Sequence, residues 1–400
     1  NGMLRNFLLS TFRSLKRNRL YSVVNISGLA IGIASSLLIL LWVNRELSYD
    51  TFHKDHDRVY QVWMHAKYTD ELSSWRSVPL PLYQYLKGQH AAIEEVSVAD
   101  WGEDHLLGYG DQKIKQMGHF VGEEFLTMFS FKTVDGRDAS IYLSDPSNIL
   151  LTESAALALF GQENPIGKVV ELDDNSQLQV AAILEDPPLN SSLQFDFLIP
   201  WTHYEQNSSW VRENTDNWSN YYFQVFMKLK SPEDLEAVES SLRNTLTENG
   251  ETDAERFLFL LPMEDWHLKS SFENGKQAGG LIIYVQLFGG VALLVLAIAC
   301  INFMNLATAR AERRAREVGV RKSIGSSRRQ LVFQFLGESL FIASIAYMIA
   351  ILLTELALPF YNDMLNNKLS IDYTSPEFWI LTISVILVAG LLSGSYPAFY

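Results

Sequence analysis

The sequence predicts a membrane protein: four transmembrane α-helices with one large α+β extracytoplasmic domain between the first and second helices. Three observations predict this class. Four windows lack Asp, Glu, Lys and Arg, short basic segments lie beside them, and one long acidic segment separates the first window from the second. A chain of 400 residues is long enough for a membrane part and a separately folded domain.

The uncharged windows are 20–44, 277–309, 339–354 and 378–400. A helix needs about 20 mostly apolar residues to cross the hydrocarbon core. The first, second and fourth windows meet this length, and the third window meets it when Glu338 is included. The first window is too long for a cleaved signal peptide and lacks a small-residue cleavage site, so we expect an uncleaved anchor.

The distribution of Lys and Arg predicts the orientation of these helices. Residues 1–19 contain five basic residues and no acidic one, and residues 310–329 contain eight basic residues against two acidic ones. Segment 44–280 contains 18 basic and 39 acidic residues. Because basic loops stay in the cytoplasm, we expect the N-terminus and the 310–330 loop there, and the acidic domain on the outer side of the membrane.

The predicted organisation has eight segments. They are a cytoplasmic basic segment (1–19), transmembrane helix 1 (20–44), an extracytoplasmic domain (45–276), transmembrane helix 2 (277–309), a cytoplasmic loop (310–330), transmembrane helix 3 (331–356), a short extracytoplasmic loop (357–377) and transmembrane helix 4 (378–400).

The extracytoplasmic segment has the pattern of an α+β domain. It contains no cysteine, since the only one, Cys300, lies in the second window, so its core rather than disulfides must stabilise it. Alternating apolar residues predict strands at 58–68, 177–184 and 221–230. Capping residues predict a helix between Thr152 and Gly161, and another from Ser231 to about Thr247.

Small residues in the first helix indicate a packing face. Gly28 and Gly32 are four residues apart, and Ser35 and Ser36 extend the same face by one turn. Small residues at this spacing let a second membrane helix approach closely. Gly is also frequent in membrane helices generally, and we favour the packing role because the serines continue the face.

The segment 316–331, "REVGVRKSIGSSRRQL", is basic and lies between two apolar windows. Gly325 is placed to end one helix, and Ser327 with Gln330 matches a capping box that starts the next. Val318, Val320 and Ile324 are apolar residues in this basic, solvent-facing setting, so we expect a partner to cover them.

Other motifs predict no chemistry. The stretch "GQENPIGKV" (161–169) has five residues between its glycines and Val169 where a phosphate-binding loop needs Ser or Thr. His53 and His56 are more typical of a solvated or hydrogen-bonded pair than of metal ligands. We therefore expect no metal, no catalytic residue and no nucleic-acid partner, and we interpret Glu338 as an interfacial residue that pairs with Arg328 or Arg329.

Several stretches resemble a known family. "ARAERRAREVGVRKSIGSSRRQLVFQFLGESL" resembles the cytoplasmic loop of MacB/FtsX/LolC-type ABC transporter permeases, and "GSYPAFY" resembles their fourth helix. "ILLTESAALALFGQENPIGKVVEL" resembles their periplasmic core domain, and "FRSLKRNRLYSVVNISGLAIGIA" resembles the Bacteroidetes-type branch. The resemblance covers nearly the whole chain.

The resemblance implies a multi-pass permease subunit in a bacterial inner membrane that works with a separate cytoplasmic ABC ATPase. That ATPase would bind ATP and Mg²⁺, so the permease would carry no cofactor and would not itself be an enzyme. The coupling helix that the ATPase grips corresponds here to Glu317, Val318, Gly319, Val320, Arg321, Lys322, Ile324 and Gly325. ATP-driven closure would then move the periplasmic domain by mechanotransmission, for export or extrusion of a lipoprotein or small molecule.

Alternatives remain at this point. One is an FtsX-like regulatory complex that activates a periplasmic cell-wall hydrolase or sensor without transport, and another is a membrane receptor without an ATPase. The family implies a homodimer or pseudo-dimer of permease units in membrane lipid, with a periplasmic or outer-membrane partner as a further option. The chain is expected to be either one complete unit or the first half of a duplicated permease.

Overall fold

The computed structural model describes residues 19–68, 71–250, 255–313, 328–365 and 367–399. These residues fall into two compact units. The helical unit comprises the described residues up to Leu47 and from Ile283 onward, and the sheet unit comprises those of Ser48–Ile282.

The described helices are, in chain order, α1 (Arg19–Leu47), α2 (Pro81–Leu86), α3 (Phe125–Met128), α4 (Glu153–Phe160), α5 (Trp201–Asn207), α6 (Ser209–Glu213), α7 (Leu235–Leu242), α8 (Thr245–Asn249), α9 (Met263–Trp266), α10 (Leu281–Arg313), α11 (Arg328–Leu365) and α12 (Pro376–Phe399). Short 3₁₀ turns occur at Ser140–Ser144 and Pro232–Asp234.

The described strands are β1 (Val59–Tyr68), β2 (Glu71–Trp75), β3 (Val78–Pro79), β4 (Ile93–Ala99), β5 (Glu103–Tyr109), β6 (Gln112–Val121), β7 (Asn148–Thr152), β8 (Val169–Leu172), β9 (Ser176–Leu184), β10 (Phe197–Pro200), β11 (Tyr221–Leu229), β12 (Arg256–Pro262), β13 (Phe272–Glu273) and β14 (Lys276–Gln277).

Three of the described helices are long and apolar enough to cross a membrane. Their apolar spans are Ser22–Leu47 of α1, Leu281–Leu306 of α10 and Leu336–Leu365 of α11. The apolar stretch Pro376–Leu392 of α12 is shorter than these three spans. A fourth span therefore stays a prediction.

Alanine-rich faces form the core of the helical unit. Ala30 and Ala34 of α1 lie in one buried cluster with Ala299 of α10, Ala346 of α11 and Ala389 of α12. Small side chains let helix backbones approach closely where lipid provides no hydrophobic drive for association. One polar contact adds to this packing, since the hydroxyls of Tyr347 and Thr382 are 2.7 Å apart between α11 and α12. Glu338 is buried within α11.

The sheet unit is built on one large sheet. Its main path runs β10-β7-β9-β8-β5-β6-β4-β11-β1-β12, with β2 paired to β1 and β3 to β11. β10 also pairs with β6, in parallel, from Phe197 opposite Gly118 to Pro200 opposite Val121. The first six strands of the path therefore close into a ring, and β4, β11, β1 and β12 extend the sheet beyond it.

Two hydrophobic clusters stabilise this sheet. One contains Leu82, Leu107 and Phe223 and extends to Leu159 of α4. The other contains Phe125, Phe129 and Phe226. β11 is buried along most of its length and supplies both clusters, because alternate residues of a strand face opposite sides of the sheet.

Most element predictions for this unit are confirmed. Strands occur at 59–68, 176–184 and 221–229, and α4 begins after Thr152, whose hydroxyl accepts a hydrogen bond from the Ala155 N–H, and ends before Gly161. The single helix expected from Ser231 to about Thr247 is wrong. A 3₁₀ turn, α7 and α8 replace it, because the Arg243 carbonyl accepts the N–H of Leu258 in β12 instead of continuing the helical ladder.

Candidate functional site

The predicted partner-binding segment lies between α10 and α11. Its residues Glu317, Val318, Gly319, Val320, Arg321, Lys322, Ile324 and Gly325 lie outside the described residues. α10 is helical as far as Arg313, whereas its apolar span ends at Leu306. The helix thus continues past its apolar span into the basic part of the sequence.

The small residues of α1 lie against α10. A Cβ at Gly32 would overlap the Cβ of Ala299, and one at Gly28 would lie 3.5 Å from Asn302 Nδ2. The Ser36 hydroxyl donates a hydrogen bond of 2.9 Å to the Ala292 carbonyl, and Ser35 is half-buried beside it. At Gly32, no larger side chain fits without separating the two helices.

The first residues after α1 form hydrogen bonds within the sheet unit. The Asp50 N–H donates to the Asn190 carbonyl at 2.9 Å, and Asn190 Nδ2 donates to the Ser48 carbonyl at 2.9 Å. The Asp50 carboxylate accepts from the Ser192 N–H at 2.7 Å and from the Ser192 hydroxyl at 2.5 Å. Asp50 has a φ of 59°, a backbone conformation that Asp adopts more readily than most residues. We call Ser48, Asp50, Asn190 and Ser192 the α1 junction.

Burial and hydrogen bonding act on Asp50 in opposite directions. Its side chain is 1% exposed, and this burial raises the pKa of the carboxyl above its usual range. The hydrogen bonds from Ser192 lower the pKa and offset part of that rise. The bonds from Ser192 therefore stabilise the charged form of a group that the fold has removed from water.

The chain that leads into α10 is tied in a similar way. The Ile282 N–H donates to the Leu268 carbonyl at 3.1 Å, and the Ala278 N–H donates to the Ser271 carbonyl at 2.9 Å. Between them Gly280 has a φ of +93°, and any Cβ there would press on the Leu268 carbonyl oxygen. Only glycine fits this turn without strain. We call Leu268, Gly280 and Ile282 the α10 junction.

Sequence reasoning missed both junctions. The sequence predicts the Pro–Pro turn at 187–188, but no local pattern pairs Asn190 and Ser192 with residues 142 positions earlier in the chain. The two glycines before α10 were the only available signal at the other junction.

His53 is buried rather than solvated. It is 1% exposed, and its Nδ1 accepts the Ser130 N–H at 3.1 Å. His56 Nδ1 lies 3.4 Å from Glu264. Within the described parts of the chain, no group of three or more His, Cys, Asp or Glu side chains is arranged to hold a metal ion.

Comparison with protein families places these features in context. Residues 22–245, more than half of the chain, match the MacB-like periplasmic core domain, and residues 289–400 match the FtsX-like permease C-terminal domain. The chain belongs to the MacB/FtsX family of ABC transporter permeases.

Individual relatives are distant. The macrolide export ATP-binding/permease protein MacB of Haemophilus ducreyi is 23% identical over 296 residues, which cover 72% of this chain and 39% of that protein. The uncharacterized ABC transporter permease YknZ of Bacillus subtilis is 22% identical over 258 residues, which cover 64% of this chain and 60% of YknZ. The chain thus spans less than two thirds of either relative.

One solved structure similar to the chain is the periplasmic region of MacB from Actinobacillus actinomycetemcomitans. It is 17% identical with a TM-score of 0.37, covering 51% of this chain and 89% of that chain.

Proposed function

We propose that this chain is the permease subunit of an ABC transporter in a bacterial inner membrane. A separate cytoplasmic ATPase grips residues 317–325, and its ATP-driven movement is passed along α10 and α1 to the sheet unit on the periplasmic side. Four helices cross the membrane in this scheme, with α12 as the fourth. The work is mechanical, and no substrate pore through the helices is required.

One observation carries this proposal: along the chain, few residues separate α1 and α10 from residues that are hydrogen-bonded within the sheet unit. α1 ends at Leu47 and Asp50 is already hydrogen-bonded to the sheet unit, while α10 begins at Leu281 and the next residue bonds to Leu268. A long, flexible connection would absorb a displacement of the helix, whereas short hydrogen-bonded junctions transmit it.

The length of α10 supports the same reading. Its 33 residues correspond to about 50 Å at 1.5 Å per residue, which exceeds the roughly 30 Å hydrocarbon core. One uninterrupted helix can therefore reach from the α10 junction to the basic loop. Family membership supports the ATPase partner, since permeases of this kind work with ATP-binding subunits.

The proposal is tested by changing the apolar residues of the basic loop. The double variant Val320→Asp/Ile324→Asp should lose co-purification with the cognate ATPase, because two carboxylates would have to be desolvated in the contact. Membrane insertion and expression should stay as in the wild type. The measurement is the ATPase-to-permease ratio after affinity purification in mild detergent.

A matched control places the same charges on the sheet unit. Val134 and Ile141 are exposed apolar residues there, and Val134→Asp/Ile141→Asp should leave the ATPase ratio unchanged. An unchanged ratio in the Val320/Ile324 variant would overturn the proposal. A loss in both variants would point to general misfolding and would also count against it.

A further inference from the structure

The sheet unit contains a mainly polar cavity of about 510 Å³. Ser192 of the α1 junction and the neighbouring Tyr49 lie in its lining, as do residues of β1, β11 and the segment around α9. Ligand pockets in proteins typically have volumes of about 300–1,000 Å³ and combine apolar walls with a few placed polar groups. The size is therefore sufficient for a small organic molecule.

The charge of this lining is unusual for the unit. Segment 44–280 has 39 acidic against 18 basic residues, yet the lining includes Arg76 and no Asp or Glu. Asp50 lies behind Ser192, but its carboxylate is 1% exposed and bonded to the Ser192 N–H and hydroxyl. The cavity thus presents positive charge within an acidic unit.

Arg76 supplies that charge. Its guanidinium lies over the Trp101 ring, with Cζ 4.5 Å from the ring centroid, and no ion pair links it to a carboxylate among the described residues. Arg58, by contrast, pairs with Asp55 and Glu94. Arg76 is an exposed residue, and partial desolvation by the surrounding side chains lowers the pKa of its guanidinium, with no acidic neighbour contributing to the shift. A planar guanidinium in this position keeps donors for an anion.

A chain of side-chain hydrogen bonds fixes one wall of the cavity. Trp63 Nε1 donates to Gln61 Oε1 at 2.8 Å, Gln61 Nε2 donates to Gln224 Oε1 at 2.9 Å, and Gln224 Nε2 donates to the Asp100 carbonyl at 2.6 Å. Both glutamines are 6% exposed. Each amide nitrogen carries a second hydrogen beyond these bonds, so the wall offers further donors to an oxygen acceptor.

Aromatic rings complete the lining. Phe226 and Trp266 have centroids 5.4 Å apart, and Trp266 uses its N–H on the Leu261 carbonyl at 3.0 Å. Tyr49 and His267 stack with centroids 3.4 Å apart. Tyr49, Trp266 and His267 are half-buried, so their rings provide apolar surface next to the guanidinium and the amides. Phe226 is 1% exposed and contributes mainly to the core behind them.

We propose that this cavity binds small organic anions that carry a flat apolar body, such as aromatic sulfonates, carboxylates or phosphate esters. Arg76 and the amides of Gln61 and Gln224 hold the anionic group, and the half-buried rings of Tyr49 and Trp266 hold the body. The site goes beyond the proposed function and stands apart from it, since binding needs no ATPase.

The test is calorimetric titration of the full chain in nanodiscs of zwitterionic phospholipid, without ATPase. Naphthalene-2-sulfonate should bind saturably, whereas 2-naphthylmethylammonium and inorganic sulfate should bind at least tenfold more weakly. Comparison with the naphthyl cation tests whether binding requires a negative charge. Comparison with inorganic sulfate tests whether it requires the apolar body. Empty nanodiscs provide the background.

Two variants locate the site. Arg76→Gln should weaken sulfonate binding by about tenfold or more, as expected for a hydrogen bond to a charged group. Ser270→Asp should also weaken sulfonate binding about tenfold or more, because it adds a carboxylate to the lining. No described hydrogen bond uses the Ser270 side chain, so this variant should fold even if Arg76→Gln does not.

The matched control is Arg137→Gln, which removes an exposed arginine paired with Asp135 and should leave binding unchanged. Circular dichroism should give the same melting profile for all variants used. Equal binding of the cationic probe, unchanged affinity in the pocket variants, or no saturable sulfonate binding by the wild type would each overturn the proposal.

Discussion

His53 is a neutral histidine held inside an aromatic cluster. Its ring centroid lies 3.9 Å from that of Phe52 and 5.1 Å from that of Phe131. The Ser130 N–H donates a hydrogen bond to its Nδ1. Burial, with a smaller contribution from the nearby charge of His56, lowers the pKa of His53 to about 3 from 6.5. His53 in the folded sheet unit therefore stays neutral at neutral and mildly acidic pH.

This shift predicts acid sensitivity with a definite sign. Between pH 6.5 and about 3 the unfolded chain binds a proton that folded His53 does not, so stability falls as the pH falls through this window. At pH 5 the free energy of unfolding should be about 2 kcal/mol lower than at pH 7.5. His53→Gln keeps an acceptor but does not titrate, and it should lose this part of the pH dependence. The pH dependence is measured by urea unfolding in nanodiscs at both pH values, with tryptophan fluorescence as the signal.

His90→Gln is the control for this experiment. His90 Nδ1 also accepts a backbone N–H, from Ala92 at 3.1 Å, but His53 remains in this variant and the wild-type pH dependence should persist. Identical pH dependence in wild type and His53→Gln would contradict the assignment.

At the scale of elements, α1 and α10 meet through small residues. Gly32 lies where any Cβ would overlap Ala299, and Ser36 bonds the Ala292 carbonyl one turn further along α1. Close backbone approach increases van der Waals contact, which is a principal source of helix association in lipid.

Gly32→Leu should therefore separate the two helices and destabilise the helical unit by about 1–3 kcal/mol, the usual range for overpacking. The matched control is Gly290→Leu in α10, where a Cβ would have no described heavy atom within 4 Å. Thermal melting of both variants in the same detergent measures the difference. Equal melting temperatures would show that this contact does not limit the stability of the unit.

At the scale of the whole molecule, the proposed scheme requires a fixed topology. The basic loop must face the cytoplasm, and the sheet unit and the residues between α11 and α12 must face the periplasm. Cys300 is the only cysteine and is buried, so Cys300→Ala gives a background for single reporter cysteines.

Reporters at Lys115→Cys and Lys368→Cys replace exposed residues, and Lys322→Cys reports on the basic loop. In spheroplasts, a membrane-impermeant maleimide should label positions 115 and 368, and position 322 only after lysis. Labelling of position 322 before lysis would reverse the proposed orientation. Protection of position 368 together with labelling of position 115 would contradict the four-span scheme.

Local sequence patterns anticipated individual elements well. Alternation in "YYFQVFMKLK" predicted β11 because successive side chains of a strand point to opposite faces, although the structure buries both faces of this strand. Thr152 with Gly161 defined α4 through its caps. The helix expected across 231–247 failed because the Arg243 carbonyl bonds to β12, a partner distant in sequence. Local propensity contains no information about that partner.

The sequence alone determined the membrane class, the α+β character of the central segment and the family resemblance, because apolar length, charge distribution and short motifs are local properties of the chain. Only the tertiary structure decided the closed ring of strands, the two junctions and the composition of the Arg76 cavity. These features depend on contacts between residues far apart in sequence, such as Asp50 with Ser192 and Gln61 with Gln224. Such pairings are set by the packing of the whole unit and leave no local pattern.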